Sequence, residues 1–240
     1  EAGAITALVT CQTSQAQLEL ADVVIRTTYR DRSSAFTISH TGAMTALAMV
    51  AVDMGGRKDA SALAGLPEAV SKALELEPQV QDLAETYQGV KWYTFAGWGP
   101  NASTAYEVAL KINEAVYAVT AAFELEQFLH GPFVATTEGC LATLVSPPGL
   151  GYERSVAIAR AVKETGADVM ALVQEGDTEM TGVVDKALTL PPVPEFLTPI
   201  VYLVPLQILT YWLALGAGRN PDTFRLDDPQ HQAAGAHYSL

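Results

Sequence analysis

Basic residues are scarce in this sequence. Its 240 residues hold 14 Lys and Arg against 27 Asp and Glu, a formal net charge of −13. A nucleic-acid surface needs a basic stripe, so this balance argues against one. An anionic ligand would have to be held locally, by backbone donors and helix N-termini, against an unfavourable global field. Cysteine is nearly missing. The two present, Cys11 and Cys140, lie far apart in apolar, strand-like segments. They read as buried free thiols in a reducing, cytoplasmic compartment. There is no CxxC and no Cys/His ligand spacing, so no metal and no cofactor is expected. The opening Glu1-Ala2-Gly3 lacks a basic n-region and is not a signal peptide.

One uncharged run near the end stands out by its length. Phe196 to Gly218 carries no charge over 23 residues, enough to cross a bilayer. Pro199, Pro205, Gln207 and Thr210 interrupt it, and it reads as a buried core helix rather than a membrane span. What the sequence does hold is apolar: 49% hydrophobic and 17% charged residues describe a chain able to bury a sizeable core.

The most informative stretch is Tyr106 to Pro132, YEVALKINEAVYAVTAAFELEQFLHGP. It opens as an apolar helix interrupted by Glu107, Lys111 and Glu114, whose spacing puts all three on one face. Two readings are open. The three can be ion pairs on a solvated stripe, worth a few tenths of a kcal/mol each. Alternatively, they enter a polar cavity, because charges on so apolar a helix need partners. Sixteen residues after Glu114 comes His130, and Gly131-Pro132 stops any helix there. An imidazole in that position is structural in one reading. In the other it joins a carboxylate and an ammonium in a set able to transfer protons beside a carbonyl.

Elsewhere the chain alternates strand and helix. Ile5 to Thr10 reads as a short buried strand and Ala21 to Thr27 as another, with Thr13-Ser14-Gln15 capping a helical turn between them. Thr37 to Met54 reads as a helix, ended by Gly55-Gly56. Leu66 to Tyr87 reads as one amphipathic helix with Pro67 in its first turn. From residue 91 onward, strands at 91–96, 140–146, 167–174 and 187–190 alternate with helices at 102–119, 153–165 and 194–216. This pattern implies a doubly wound α/β fold with a mostly parallel sheet, whose sites lie at the carboxyl ends of the strands. Gly97-Trp98-Gly99 and Gly149-Leu150-Gly151 are fragments of a dinucleotide fingerprint without its third glycine. They read as tight strand-to-helix turns.

The helix pattern E-x-x-x-K-x-x-E followed by HGP resembles the sugar isomerase (SIS) family of phosphosugar-binding proteins. The closing IVYLVPLQILTYWLALGAGRNPD and the opening AGAITALVTCQTSQAQLELADVVI resemble the same family, so the likeness covers nearly the whole chain. It implies two flavodoxin-like half-domains. Residues 1–65 would be the end of the first, which reads as truncated because its phosphate loop has no counterpart here. Residues 66–90 would connect, 91–218 would form the second half and 219–240 a tail.

The resemblance also implies aldose–ketose proton transfer on a sugar 6-phosphate, often an amino sugar, through an enediol or enolamine. Glu114 falls at the family's proton-shuttling carboxylate and His130 at its ring-opening histidine. That histidine reaches the site from the neighbouring subunit, so a homodimer is implied. Lys111 is an expected electrostatic partner, and Glu107 an expected contact to a substrate hydroxyl or a support behind the site. Ser34 and Thr37 fall near the sugar phosphate, although the family's Thr-Lys pair is here Thr37-Ile38 and a nearby glutamate position holds Asp31. From Arg219 to Leu240 there is no lysine, where glucosamine-6-phosphate synthase has one, and no glutaminase domain is visible. A deaminase, deglycase or simple isomerase is therefore expected ahead of glutamine-dependent synthesis. The alternative is a non-catalytic, sugar-phosphate-sensing SIS domain. His231, His237 and Tyr238 could enter the site from the tail, which otherwise reads as solvated or docked on the surface.

Overall fold

The computed structural model describes residues 3–11, 15–27 and 31–237. The chain divides into two compact units, Glu1–Ala64 and Gly65–Leu240. In the first, β1 (Ala7–Thr10) and β2 (Val23–Arg26) pair in parallel, Ala7 beside Val23, with α1 (Gln15–Leu18) between them. Neither strand is buried, contrary to the sequence expectation: Ala7, Val23 and Val24 are exposed. The expected Thr13-Ser14 cap lies outside the described residues. Helix α2 (Ile38–Met54) follows. Its N-cap Thr37 makes no side-chain cap bond. Instead the Asp31 carboxylate accepts from the amides of Ile38 (3.2 Å) and Ser39 (2.9 Å) and from the Ser39 hydroxyl. Partial burial raises the Asp31 carboxyl pKa, but the Ser39 and Ile38 donors outweigh that and hold it below its ordinary value.

Prolines decide where the long helices break. The single helix expected from Leu66 to Tyr87 is two, α3 (Ala60–Leu74) and α4 (Glu77–Thr86). Pro78 has no N–H to give to the Leu74 carbonyl four residues back, so the ladder stops there. Because α3 begins at Ala60, Pro67 lies in its interior and not in its first turn. The same rule divides the apolar stretch near the end. It opens with a 3₁₀ turn at Glu195–Leu197, continues as α8 (Thr198–Val201) and then as α9 (Leu203–Gly216). Pro205 has no donor for the Val201 carbonyl, where α8 ends. This Glu195–Gly216 stretch is long and apolar enough to cross a membrane, but 72% of its most apolar window is buried inside the protein. It is a core helix.

The second unit is built on five parallel strands. These are β3 (Trp92–Gly97), β4 (Thr120–Glu124), β5 (Cys140–Val145), β6 (Asp168–Gln174) and β7 (Lys186–Leu190). They lie in the order β4-β3-β5-β6-β7, the flavodoxin-like arrangement. Helix α5 (Asn101–Ala115) joins β3 to β4, α6 (Leu125–Leu129) lies between β4 and β5, and α7 (Tyr152–Glu164) joins β5 to β6. Going from β3 to β4 the chain steps one way across the sheet, and from β4 to β5 it steps back. Right-handed crossovers therefore put α5 on one face and α6 on the other. The packing agrees. Leu125 and Phe128 of α6 share a core with Val156, Ala159 and Val162 of α7 and with Ala96, Leu144 and Ala171 of the sheet. On the opposite face α5 packs against α9, and α9 against α4.

Strand β4 and helix α6 had no counterpart in the sequence reading, which carried the helix through to residue 119. In the structure α5 stops at Ala115, and Tyr117 turns the chain with a φ of 62°. The Thr120 hydroxyl then donates to the Ala109 carbonyl and the Asn113 side-chain oxygen, both at 2.9 Å, fastening the edge strand to the helix before it.

Candidate active site

Glu107, Lys111 and Glu114 share one face of α5, and that face is not a solvated stripe. Their side chains are 10%, 6% and 13% exposed. Lys111 Nζ donates to Glu114 Oε2 at 2.6 Å and lies 3.5 Å from Glu107 Oε1. An ammonium this deep between Val108, Ile112 and Ala115, all buried, is held by its two carboxylates. The expected ion pairs exist, but they are interior ones.

Glu114 borders a cavity of about 410 Å³. Asn113, Tyr117 and Thr120 line it from α5 and the turn into β4, and Phe224, Arg225 and His231 line it from the C-terminal tail. Helix α5 runs antiparallel to β3, so its last turn and the start of β4 lie at the amino ends of the strands. Thr120 pairs beside Tyr93, the second residue of β3. The sequence points to the carboxyl ends, where a cavity of about 520 Å³ lies among the loops after β5 and β6, lined by Leu150, Tyr152 and Asp177 among others. At the switch point between β3 and β5 only about 10 Å³ is open, enclosed by Trp98, Asn101, Ser146, Gly151 and Glu195 among others. Trp98 fills the crevice. A Cβ added at Gly151 would meet its ring and Cβ atoms at 2.2 and 2.3 Å. Gly151→Ala should therefore lower stability by about 1–3 kcal/mol, the cost of overpacking. Urea denaturation checks this, and a denaturation midpoint unchanged from the parent would show that the Trp98 plug is loose.

The tail is folded in a way the sequence reading did not anticipate. Helix α10 (Pro229–Gly235) is capped by Asp228, whose carboxylate accepts from the amides of Gln230 (2.9 Å) and His231 (3.1 Å). Arg219 and Arg225 place their guanidinium carbons 5.2 and 4.8 Å from the Tyr117 ring centroid. Cation–π contacts thus hold the tail against the turn that follows α5. His231 reaches the cavity. His237 is exposed and does not line it, and Tyr238 lies outside the described residues. The Asp-Pro pair at 228–229 is a helix-start signal that could have revealed α10.

His130 is exposed at the C-cap of α6, close enough to Glu126 to draw its carboxyl pKa down, after the larger effect of the Arg154 bond. Arg154 Nε and Nη2 donate to the two Glu126 oxygens at 2.5 and 3.0 Å. His130 is not among the residues that line the Glu114 cavity, and α5 and α6 cover opposite faces of the sheet. Ser34 is exposed and Thr37 half-buried, both just ahead of α2 in the first unit. Among the described residues no group of three or more His, Cys, Asp or Glu could hold a metal ion.

A flavodoxin-like sheet with an acid–ammonium–acid helix beside a cavity defines an α/β domain with a buried ionic cluster. Against known families, residues 91–217 match the SIS domain, and the chain belongs to that family. It is 33% identical over 198 residues to glutamine–fructose-6-phosphate aminotransferase (isomerizing) of Thermus thermophilus, a match covering 78% of this chain and 33% of that protein. The protein of that name in Thermococcus kodakarensis is 31% identical over the same length. The chain thus spans about a third of the length of these curated relatives.

Among solved structures, the C-terminal domain of the Francisella tularensis glucosamine–fructose-6-phosphate aminotransferase superposes with a TM-score of 0.84 at 21% identity. That match covers 90% of this chain and 64% of the other. Glucosamine-6-phosphate deaminase of Thermotoga maritima superposes with a TM-score of 0.71 at 18% identity, covering 90% and 63%. At these identities the structural likeness speaks for the fold.

Proposed function

We propose that this chain carries the proton-transfer site of a phosphosugar isomerase or deaminase acting on a sugar 6-phosphate, an amino sugar among the candidates. Glu114 takes a proton from one carbon of the open-chain sugar and returns it to the next, through an enediol or enolamine. Lys111 fixes the carboxylate and offsets its charge, and Glu107 balances Lys111 from the other side. The observation that carries this reading is the buried Glu107–Lys111–Glu114 set ending at a cavity wall in a member of the SIS family. A cytoplasmic setting fits the two free cysteines. The name of the curated relatives favours a second reading, in which the same proton shift is the isomerising step that accompanies amino transfer to fructose 6-phosphate.

The full-length protein should interconvert aldose and ketose, or release ammonia, when supplied with fructose 6-phosphate or glucosamine 6-phosphate. Binding of either sugar phosphate by calorimetry, with no product formed over hours, would instead identify a sensing domain.

In this reading His130 opens the sugar ring from the partner subunit of a homodimer. The opposite-face placement of α5 and α6, with His130 off the wall of the Glu114 cavity, supports that arrangement. Mixing Glu114→Gln and His130→Ala subunits, each inactive alone, should restore up to about a quarter of parental activity, since half the dimers are mixed and each holds one intact site. Mixtures no more active than either variant would place His130 outside the site.

A further inference from the structure

The Glu114 cavity has a second ionisable wall, made by the tail. His231 Nδ1 lies 3.2 Å from Asp228 Oδ1. A carboxylate at that distance can accept from Nδ1–H, which leaves Nε2 free to exchange a proton with a ligand. The backbone reinforces the pairing, since Asp228 also accepts from the His231 amide at 3.1 Å. Arg225 steadies the acid from the other side, with its Nε 3.9 Å from Asp228 Oδ2 and its guanidinium over Tyr117. The charged groups around the imidazole are therefore Asp228 and Arg225 from the tail and Glu114, backed by Lys111, from α5. At about 410 Å³ the cavity is within the range of small-molecule sites. A carboxylate and an oriented imidazole line the same space from different elements.

We propose that His231 is a second acid–base residue of this site, moving protons between sugar oxygens while Glu114 moves one between carbons, with Asp228 as its positioning residue. The inference rests on the function proposed above for Glu114. The bookkeeping of atoms closes. As Glu114 takes the C–H proton, the adjacent C=C forms, and the carbonyl oxygen becomes a hydroxyl by taking the Nε2 proton of His231 in its imidazolium form, which is left neutral with its Nδ1–H toward Asp228. The neighbouring hydroxyl then returns its proton to Nε2 as its own carbon–oxygen double bond forms and Glu114 protonates the second carbon. Enzyme and substrate formula are unchanged, and no other reactant is needed. An oxyanion that would otherwise build up beside a carboxylate, in a chain of net charge −13, is neutralised as it develops.

The experiment uses the full-length protein with fructose 6-phosphate and glucosamine 6-phosphate. His231→Asn should lower kcat by about 100-fold, with a smaller change in KM, and should remove one limb of the pH profile of kcat. Asp228→Asn should shift that limb without abolishing it. Nitrogen-15 NMR of the four histidines, assigned through His231→Asn, gives a readout that does not need turnover. Fructose 6-phosphate should shift the His231 titration midpoint.

If Glu114→Gln is inactive while His231→Asn keeps parental kcat and pH profile, the His231 role is overturned and the Glu114 reading stands. If Glu114→Gln is fully active, the function proposed above fails and this role fails with it. A His231 titration that the sugar phosphate leaves unmoved overturns the proposal whatever the turnover.

Discussion

Glu114→Gln should leave a folded protein that has lost turnover on fructose 6-phosphate and glucosamine 6-phosphate by about 1,000-fold, the size of a missing general base. Glutamine keeps the length and shape of the side chain, and its amide oxygen can still accept from Lys111 Nζ, now 2.6 Å from Glu114 Oε2. Lys111 also keeps Glu107 at 3.5 Å, so the ammonium is not stranded. The stability cost should therefore stay near 1 kcal/mol, that of one weakened hydrogen bond. Rate assays and thermal melts by circular dichroism separate the two effects. Retained activity would remove Glu114 from the chemistry and with it the reading of this cavity as a catalytic one.

Lys111→Met should act chiefly on the fold instead. The substitution keeps the chain's bulk and removes its charge. Glu114, at 13% exposure, would then lose the ammonium that now donates to it at 2.6 Å. Removing one partner of a buried ion pair costs about 3–5 kcal/mol, because the remaining charge is desolvated without compensation. Protonating a carboxylate removes that charge, so the deficit measured in urea should be largest at neutral pH and shrink on acidification. A double variant, Lys111→Met with Glu114→Gln, should recover part of the loss, and the shortfall from additivity measures the coupling. An equal midpoint for Lys111→Met and the parent would mean that water reaches these carboxylates freely.

The α/β class and the parallel sheet were legible from residue 91 onward because apolar strands such as Cys140–Val145 and Asp168–Gln174 are buried on both sides and flanked by turn glycines. The one-face spacing of Glu107, Lys111 and Glu114 was legible for the same kind of reason: a helix has a fixed period. Two things were not. Thr120–Glu124 follows an apolar helix without a glycine or proline, and only pairing with β3 makes it a strand. The His231 wall depends on a tail that folds back onto Tyr117 through two arginines, a long-range contact that no local pattern announces. At the carboxyl ends a cavity of about 520 Å³ lies among the loops after β5 and β6, but a topology rule does not say that Trp98 narrows the switch point itself.

The Trp98 indole also decides where the carboxyl rim of the sheet has room. With Trp98 set into the crevice between β3 and β5, the open space at that rim shifts sideways, to the loops that follow β5 and β6.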